Sequence, residues 1–541
     1  MKLRYFVLYA ACCLMMPNLT AVAHAAVPGQ FIAKMYTEAL GRAPDPDGWT
    51  AYVNFFTQNG CSLSTLKVAG ESFYTSTEYD SLAYDDVEKV LTLYRGALNR
   101  EPDSNGLNYW VYVLSHGVPF SPDSDGEDYW RYLLNRGTPF SVVVDSLFSS
   151  SEFAGNVPGI CNGDGSIYAR SYGWSGDSAI AVPIKGPGFN GTANDLQAML
   201  DSTPPGGTVL LAQRAFIATD STIMIPAGVT LATAGTPDPS HYARMGRIVR
   251  NSLFQGAVVQ LESGAQLLSV WVSGQRNVVG YFFGNGGDGV NIFLDSGQGS
   301  QLLNSRTDSP AGFTTVLALG MNETGFACQN AVISGNLSTG YTSHHTVSSG
   351  GGWADGISNA CEGATITNNS IVDATDVGIV LYRSDPATQR SQITNNVIIS
   401  AGLSAYGALV ADPVNDTPKA DYAGSLVSGN QLWTSDATHF DIAISVGTLP
   451  WFSGVGGTVG TGANFQNNST PTGLRANVNT GILIDGMLDA TVQGNALTMD
   501  LVQVSQCPSG YVLADNINNN HAGGNLQQPY TPAVAHDCIG H

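Results

Sequence analysis

Three aspartates near the middle of the chain could work together as an acid and a base. Asp355 precedes a Gly-Ile pair, and Asp373 and Asp376 precede a similar Val-Gly-Ile run about one repeat later. Where carboxylates from neighbouring segments lie side by side, their repulsion raises one pKa and leaves a general acid at neutral pH. Hydrolysis of a glycosidic bond needs such an acid at the leaving oxygen and a second carboxylate that activates water. The spacing predicts Asp376 as the acid and Asp355 as the base, with Asp373 as a further candidate acid.

Structural roles compete with this interpretation. Asp before Gly often caps a turn, so Asp373 or Asp376 could instead satisfy backbone N–H groups. Asp355 lies two residues before its strand isoleucine and Asp376 lies three before its own, so regular strands would direct them to opposite faces. Polar and aromatic side chains nearby are candidates for substrate binding: Trp353, Arg383, Asp385, Tyr406, Asp412 and His344. Of these, Trp353 could simply be packed and His344 could be solvated.

The alternative chemistry is cleavage by elimination, the reaction of a polysaccharide lyase. It requires a basic side chain and often a calcium ion held by carboxylates. Arg383 and Arg390 are the basic candidates, and Asp355 and Asp385 are the possible calcium ligands. Hydrolysis itself requires no cofactor, and the six cysteines after residue 25 include no closely spaced pair that suggests a zinc site.

A repeated turn explains how these residues could be brought together. An apolar β-branched residue, a polar residue and then Gly-Asn or Asn-Asn recur at roughly thirty residues, the period of a stacked solenoid. The copies end at Asn336, Asn369, Asn396, Asn430 and Asn495. Each is followed by an apolar strand, and stacked strands lie about 4.8 Å apart. We therefore expect the asparagines to form a ladder and the strand-start aspartates to form an outward row.

The solenoid resembles a known superfamily. The run Ser221-Thr-Ile-Met-Ile-Pro-Ala-Gly-Val-Thr-Leu231 is similar to the opening coils of pectin-lyase-like right-handed parallel β-helix proteins, and residues 194–200 would form the helix that covers the end. The resemblance covers about residues 165–505. Trp353-Ala-Asp-Gly-Ile357 and Asp376-Val-Gly-Ile379 resemble two motifs of polygalacturonase-type hydrolases, and on that match Asp355 and Asp376 correspond to two of the family's acids. A third acid of the family is Val377 here, its Gly-His-Gly is Ala405-Tyr-Gly407, and its Arg-Ile-Lys has no counterpart.

Residues 30–155 have a different, helical sequence pattern. Helically spaced apolar residues surround the turns Gly41-Arg-Ala-Pro-Asp-Pro-Asp-Gly48 and Asn99-Arg-Glu-Pro-Asp-Ser-Asn-Gly106. This signature resembles a bacterial domain of unknown function, number 4214, whose helical pattern is similar to phycobilisome linker repeats. The resemblance implies a non-catalytic spacer, or a module that attaches to a cell surface or another protein.

Composition and the first residues indicate export. Lys2 and Arg4 precede an apolar stretch, and Ala23-His-Ala25 is typical of a signal-peptidase site, so residues 1–25 are predicted to be a signal peptide; a lipoprotein at Cys12 is the alternative. No later apolar run is long enough to span a bilayer. The net charge of −21, without clustered Lys or Arg, argues against nucleic acid as a partner. We expect two disulfides, Cys328 with Cys361 and Cys507 with Cys538.

Together these patterns predict a mainly β protein: a right-handed parallel β-helix over residues 163–505, a smaller all-α domain over residues 30–155, and a C-terminal tail over residues 506–541. The favoured function is a secreted bacterial glycoside hydrolase, periplasmic or extracellular, acting on a polysaccharide with paired Asp residues. A polysaccharide lyase with an Arg base and calcium, and a non-catalytic glycan-binding surface or matrix protein, are the alternatives.

Overall fold

A computed structural model describes residues 27–116, 138–163, 182–282, 288–295, 298–319, 328–339, 353–383, 388–413, 420–447, 460–485, 487–497 and 504–506. Helices dominate the N-terminal part. They are α1 (Gly29–Ala39), α2 (Pro46–Asn59), α3 (Leu63–Tyr74), α4 (Thr77–Ser81), α5 (Asp86–Leu93), α6 (Ser104–His116), α7 (Phe140–Phe148) and α8 (Ser151–Cys161), with a π-helical turn at Tyr94–Leu98 after α5. The predicted signal peptide and C-terminal tail lie outside the described residues, apart from Gln506.

From Thr208 onward the chain winds into coils whose strands form three parallel sheets. Sheet 1 contains β1 (Thr208–Leu211), β4 (Thr230–Thr233), β7 (Gln266–Leu268), β10 (Gln301–Leu303), β13 (Val332–Ser334), β16 (Thr365–Thr367), β19 (Gln392–Thr394), β22 (Leu426–Ser428), β26 (Asn464–Gln466) and β29 (Thr491–Gln493). Sheet 2 contains β2 (Phe216–Thr219), β5 (Gly246–Arg250), β8 (Val270–Ser273), β11 (Arg306–Asp308), β14 (Leu337–Thr339), β17 (Ser370–Val372), β20 (Val397–Ser400) and β23 (Gln431–Thr434).

Sheet 3 contains β3 (Ile223–Ile225), β6 (Val259–Leu261), β9 (Ile292–Asp295), β12 (Thr314–Leu319), β15 (Asp355–Asn359), β18 (Val377–Tyr382), β21 (Ala405–Asp412), β24 (Phe440–Gly447), β27 (Val478–Asp485) and β30 (Val504–Gln506). A short pair, β25 (Gly460–Thr461) and β28 (Met487–Leu488), adds a small fourth ladder. From β1 to β24 each coil contributes one strand to each main sheet in turn, as a right-handed parallel β-helix requires, and the last two coils contribute strands to sheets 1 and 3 only. The predicted fold class is confirmed.

One continuous apolar core fills the interior of the coils. Its rows come from successive strands, such as Ile357, Ile379, Leu409 and Ile444 on sheet 3. Helix α9 (Ala193–Ser202) covers the N-terminal end, as predicted, and inserts its buried leucines into the same core. Because this helix closes the first coil, the core is shielded from water at that end.

The asparagine ladder is confirmed and is longer than the sequence predicted. Each buried side chain donates through Nδ2 to Oδ1 of the next at 2.8–2.9 Å, from Asn336 through Asn369, Asn396, Asn430 and Asn468 to Asn495. Each Oδ1 also accepts the backbone N–H of the residue one coil before, for example Asn369 N–H to Asn396 Oδ1 at 2.9 Å. The residue just before each ladder asparagine has a left-handed backbone or is glycine, such as Asn395 at φ 56° and Gly429 at φ 68°.

The helical domain packs against the outer face of sheet 2. Leu337, Ile399 and Trp433 belong to the same apolar cluster as the helix residues Phe31 and Leu93. Ion pairs join the two parts as well: Glu38 Oε1 to Arg306 Nη2 at 2.6 Å, Glu101 Oε1 to Arg247 Nη1 at 2.9 Å and Glu88 Oε2 to Arg244 Nε at 3.0 Å. The helical domain and the outer face of sheet 2 thus form one apolar cluster, and its role as a spacer stays a prediction. Its attachment to a surface or another protein stays a prediction.

Two disulfides lie in the described part of the chain. The predicted bond between Cys328 and Cys361 is present and joins consecutive coils. A second bond joins Cys61 to Cys161 across the helical domain. Cys507 and Cys538 lie outside the described residues. Every helix within the described ranges is too short or too polar to traverse a bilayer.

Candidate active site on the third sheet

Close backbone packing makes Asp355 face outward from β15. A Cβ added at Gly356 would lie 2.8 Å from the core side chain of Ile371 and 2.5 Å from the carbonyl oxygen of Gly378. Gly356 therefore faces the interior, and so does Ile357, which belongs to the apolar core, so the strand does not alternate regularly at this point. Asp355 lies on the outer side with Ser358, whose hydroxyl bonds to its Oδ2. Gly378 occupies the same inward position one coil later, against Ile398.

The Asp355 carboxylate is held at both oxygens. Oδ1 accepts the backbone N–H of Val377 on β18 at 3.0 Å, and Oδ2 accepts the hydroxyl of Ser358 at 2.7 Å. The Ser358 hydroxyl also lies 2.8 Å from Thr314 Oγ1 on the preceding coil. Only 1% of the Asp355 surface is exposed, and this burial raises the pKa of Asp355 to about 7 despite the two hydrogen bonds. The group therefore changes charge near neutral pH.

Asp376 lies beside Asp355, in the bend that leads into β18. Its backbone N–H donates to Ala354 O at 3.1 Å, and its carboxyl group bonds to the side chain of Trp353. Burial, and then the charge of Asp355, raise the pKa of Asp376 well above its usual range. Because Asp376 precedes the strand, strand alternation does not direct its side chain, and the expected opposition of the two faces does not apply.

Tyr382 and Asp412 extend the site along the same face. They are register partners at the ends of β18 and β21. Burial, followed by the charges of Asp355, Asp412 and Asp376, raises the pKa of Tyr382, so this hydroxyl lies within the field of three carboxylates. Asp412 is itself only 3% exposed. Arg383 follows β18 directly and is partly buried, and its charge acts on the buried Tyr422.

Two predicted site residues have other surroundings. Asp373 Oδ1 accepts the backbone N–H groups of Ala401, Gly402 and Leu403 at 2.6, 2.9 and 3.2 Å, and Oδ2 accepts from Gln30 of α1 at 3.1 Å. Asp373 thus caps a turn and binds the helical domain, which corrects its assignment as an acid.

Tyr406 is the second. Its side chain is 0% exposed, and burial, followed by the charges of Asp441 and Asp376, raises the pKa of Tyr406. Its role in substrate binding stays a prediction. Asp385 and His344 lie outside the described residues.

Sequence reasoning missed the groups that orient the pair. Ser358, Thr314 and the Val377 N–H hold Asp355, and nothing in the local sequence marks them, because their positions depend on register between coils. Among the described residues, no cluster of three or more His, Cys, Asp or Glu side chains that could hold a metal ion is present. The calcium site of the alternative lyase chemistry stays a prediction, since Asp385 is outside the described part.

Comparison with known proteins gives one family match, to a domain of unknown function (DUF4214), over residues 70–119. This match lies within the stretch that the sequence assigned to that family. No curated protein matches the chain.

Similar solved structures include an alginate lyase from Paenibacillus sp. (13% identity, 53% of this chain and 95% of that one, TM-score 0.34). Others are the tailspike protein of E. coli bacteriophage HK620 in complex with a pentasaccharide (10%, 67% and 66%, 0.36) and an endo-xylogalacturonan hydrolase from Aspergillus tubingensis (12%, 62% and 99%, 0.38).

Proposed function

We propose that this protein is a secreted carbohydrate-active enzyme that hydrolyses glycosidic bonds of a polysaccharide bound along sheet 3. The observation that carries the proposal is the pair of buried carboxyl groups of Asp355 and Asp376: burial raises the pKa of Asp355 to about 7, and burial together with the charge of Asp355 raises the pKa of Asp376 well above its usual range. Acid–base hydrolysis of a glycoside requires two carboxyl groups with pKa values driven apart by their environment.

The roles follow from the two environments. Asp376 keeps its proton because burial and the charge of Asp355 oppose its ionisation, so it protonates the leaving glycosidic oxygen. Asp355, once ionised, accepts a proton from the attacking water. Its carboxylate is almost fully enclosed and held by Ser358 and the Val377 N–H, which favours contact with a small water molecule over direct attack on a sugar ring. We therefore propose hydrolysis with inversion of configuration.

The surroundings of the pair support a saccharide polymer as substrate. Successive strands of sheet 3 repeat at about 4.8 Å, so the face offers an extended series of similar positions rather than one closed pocket. Trp353 and Tyr382 are partly exposed beside the acids and are suited to pack against sugar rings. Arg383 adds a cation at the edge of the same strand, where it can bind a hydroxyl or carboxylate group of the substrate.

Export is part of the proposal. The two disulfides, Cys61–Cys161 and Cys328–Cys361, support an oxidising compartment outside the cytoplasm. The predicted signal peptide, residues 1–25, is consistent with the same location. Mass spectrometry of the protein recovered from the native host's culture or periplasm tests both the cleavage site and the bonds.

The catalytic proposal is tested by incubating the full chain with a panel of neutral and acidic polysaccharides. New reducing ends without absorbance from unsaturated sugars would support hydrolysis, and unsaturated products would support the lyase alternative instead. Asp376→Asn and Asp355→Asn should each lower the rate at least about 10²-fold. The matched control is Asp201→Asn, an exposed carboxylate on α9 at the end of the solenoid. Binding of a polysaccharide without cleavage by the unmodified protein would overturn the enzyme assignment and favour a glycan-binding protein.

A further inference from the structure

A serine, a histidine and an aspartate are hydrogen-bonded in series next to the acid pair. The Oγ atom of Ser404 lies 3.1 Å from Nδ1 of His439, and Nε2 of the same ring lies 3.2 Å from Oδ1 of Asp441. A nucleophile in contact with a base that is itself oriented by a carboxylate is the arrangement that activates a serine for acyl transfer. The two ring nitrogens exchange the roles that they have in the Ser-His-Asp triad, since here Nδ1 faces the serine and Nε2 faces the carboxylate. It is recognised by geometry, whatever the order of the residues in the chain.

The contacts assign one tautomer to the ring. The Asp441 carboxylate only accepts hydrogen bonds, so Nε2 carries the proton and Nδ1 is left as the acceptor for the Ser404 hydroxyl. The backbone N–H of His439 donates to Ser404 Oγ at 3.2 Å, which fixes the oxygen beside the ring. The hydroxyl proton is therefore free to point at Nδ1, the base that would remove it.

The position of these residues leaves them open to a substrate. The His439 side chain is 44% exposed, that of Asp441 is 21% exposed, and Ser404 is partly exposed. Within the described part of the chain, the backbone N–H of Ser404 has no acceptor and is available to stabilise an oxyanion on the carbonyl under attack. The nucleophile thus has a base and a neighbouring donor.

The series lies on the same face as the acid pair. Val377 pairs with Gly407 and Gly407 pairs with Ile442, so Asp376, Tyr406 and Asp441 stand at equivalent places on three consecutive coils. Two coil spacings correspond to about 10 Å. A sugar chain bound over Asp376 would therefore carry its neighbouring residues past Ser404.

We propose that Ser404, His439 and Asp441 form a second catalytic centre that hydrolyses short O-acyl esters, such as acetyl groups, on a polysaccharide bound to this face. The centre extends beyond glycosidic cleavage and does not depend on it. An ester group blocks close contact between a sugar and the acid pair, so its removal one or two coils away would prepare the chain for cleavage.

The reaction balances with water as the only co-reactant. Ser404 Oγ bonds to the ester carbonyl carbon while its proton passes to His439 Nδ1. The bond from that carbon to the sugar oxygen then breaks, and the oxygen takes the proton from Nδ1 to leave as a hydroxyl group. Water attacks the acyl-serine, Nδ1 receives a proton from the water and returns it to Ser404 Oγ, and the free carboxylic acid leaves. Asp441 stabilises the charged ring at each stage.

A second Ser–His–Asp contact in the chain offers a matched control. Ser240 Oγ and Asp238 Oδ1 both approach the same nitrogen, Nδ1 of His241, at 3.0 and 2.9 Å. A single nitrogen cannot bind the carboxylate and also act as the base for the serine. Ser240→Ala therefore removes a serine from a similar trio that lacks the required series.

The test uses the full chain with a chromogenic acetyl ester and with an acetylated polysaccharide, and it measures released chromophore and acetate. We expect Ser404→Ala and His439→Ala to lower ester hydrolysis at least about 10³-fold, Asp441→Asn at least about 10²-fold, and Ser240→Ala to leave it unchanged. A fluorophosphonate probe should label Ser404, as identified by peptide mass spectrometry, and should fail to label the His439→Ala protein.

Circular dichroism and the thermal midpoint establish that each variant is folded. Ester hydrolysis that persists in Ser404→Ala, labelling at another serine, or absence of both labelling and ester hydrolysis in the unmodified protein would each overturn the proposal. Because the chromogenic ester contains no glycosidic bond, these results are independent of whether the acid pair cleaves polysaccharide.

Discussion

Replacing Asp355 with asparagine should remove activity and at the same time stabilise the fold at alkaline pH. Burial raises the pKa of this carboxyl from 3.8 to about 7, so the native state binds a proton that the unfolded chain releases at lower pH. The stability contributed by that proton is fully present below about pH 4 and is lost as the pH rises through about 7. Over that interval the loss is about 4 kcal/mol, from about 3 pKa units at 1.36 kcal/mol each.

An amide retains the local contacts without the charge. Its oxygen can accept the Val377 N–H, and its NH₂ group can donate to Ser358, whose own proton then goes to Thr314 Oγ1. The variant therefore has no ionisable group at this position and keeps a partner at each of the two side-chain atoms. For a unit of roughly 300 residues, about 4 kcal/mol corresponds to a rise in the unfolding midpoint of about 6 °C.

The assay is differential scanning calorimetry of both proteins between about pH 4 and about pH 9. We expect the variant and the unmodified protein to unfold together at the acidic end and to separate progressively above about pH 5, with the variant more stable. Asp201→Asn should show no such pH-dependent separation, because that carboxylate is exposed. A variant that is less stable at pH 9, or a difference that does not change with pH, would refute the assignment of Asp355 as a buried, destabilised carboxyl.

Three further predictions concern the acid pair, the ladder and the helical domain. The rate of glycoside hydrolysis should increase as the pH rises through about 7, where Asp355 ionises, and decrease at higher pH as Asp376 loses its proton. A kcat profile with an optimum far below neutrality would contradict this. Asn396→Ala should lower the free energy of unfolding in urea by about 3 kcal/mol, because it leaves buried groups on both neighbouring coils without partners. Thr394→Ala, on the outer face, should have a much smaller effect. Replacing both Cys61 and Cys161 with Ser should lower the free energy of unfolding by about 4–5 kcal/mol, more than replacing both Cys328 and Cys361, because the first bond closes a loop of 100 residues and the second a loop of 33. Equal shifts in thermal midpoint for the two variants would count against a loop-entropy effect.

The repeated turns could be predicted from the sequence because the residues that form each turn are adjacent in the chain. A β-branched residue that fills the interior, a residue with left-handed backbone and a stacking asparagine recur together, and the structure confirms them from Asn336 to Asn495. The ladder member that was missed, Asn468, lies three residues after Phe465, so its turn lacks the β-branched residue of the other copies. An aromatic ring fills the same interior space, which a pattern based on side-chain type did not anticipate.

The direction of side chains outside regular strands could not be predicted in this way. Asp373 and Asp376 differ by three positions in one turn, yet the first binds three backbone N–H groups and Gln30, and the second lies beside Asp355. The choice depends on the 401–403 turn of the next coil and on the position of α1. Neither of these is local in sequence.

The sequence by itself determined the stacked coils, the asparagine ladder, the cap helix and the presence of carboxyl groups at the start of strands on neighbouring coils. These features follow from periodicity and turn chemistry that repeat along the chain. Only the tertiary structure decided which carboxyl groups meet, how the helical domain covers sheet 2, and that Ser404 contacts His439 thirty-five residues away. Those contacts depend on the register between coils and on packing between distant segments. Loops of unequal length set the register of each coil, and the local sequence pattern does not specify it.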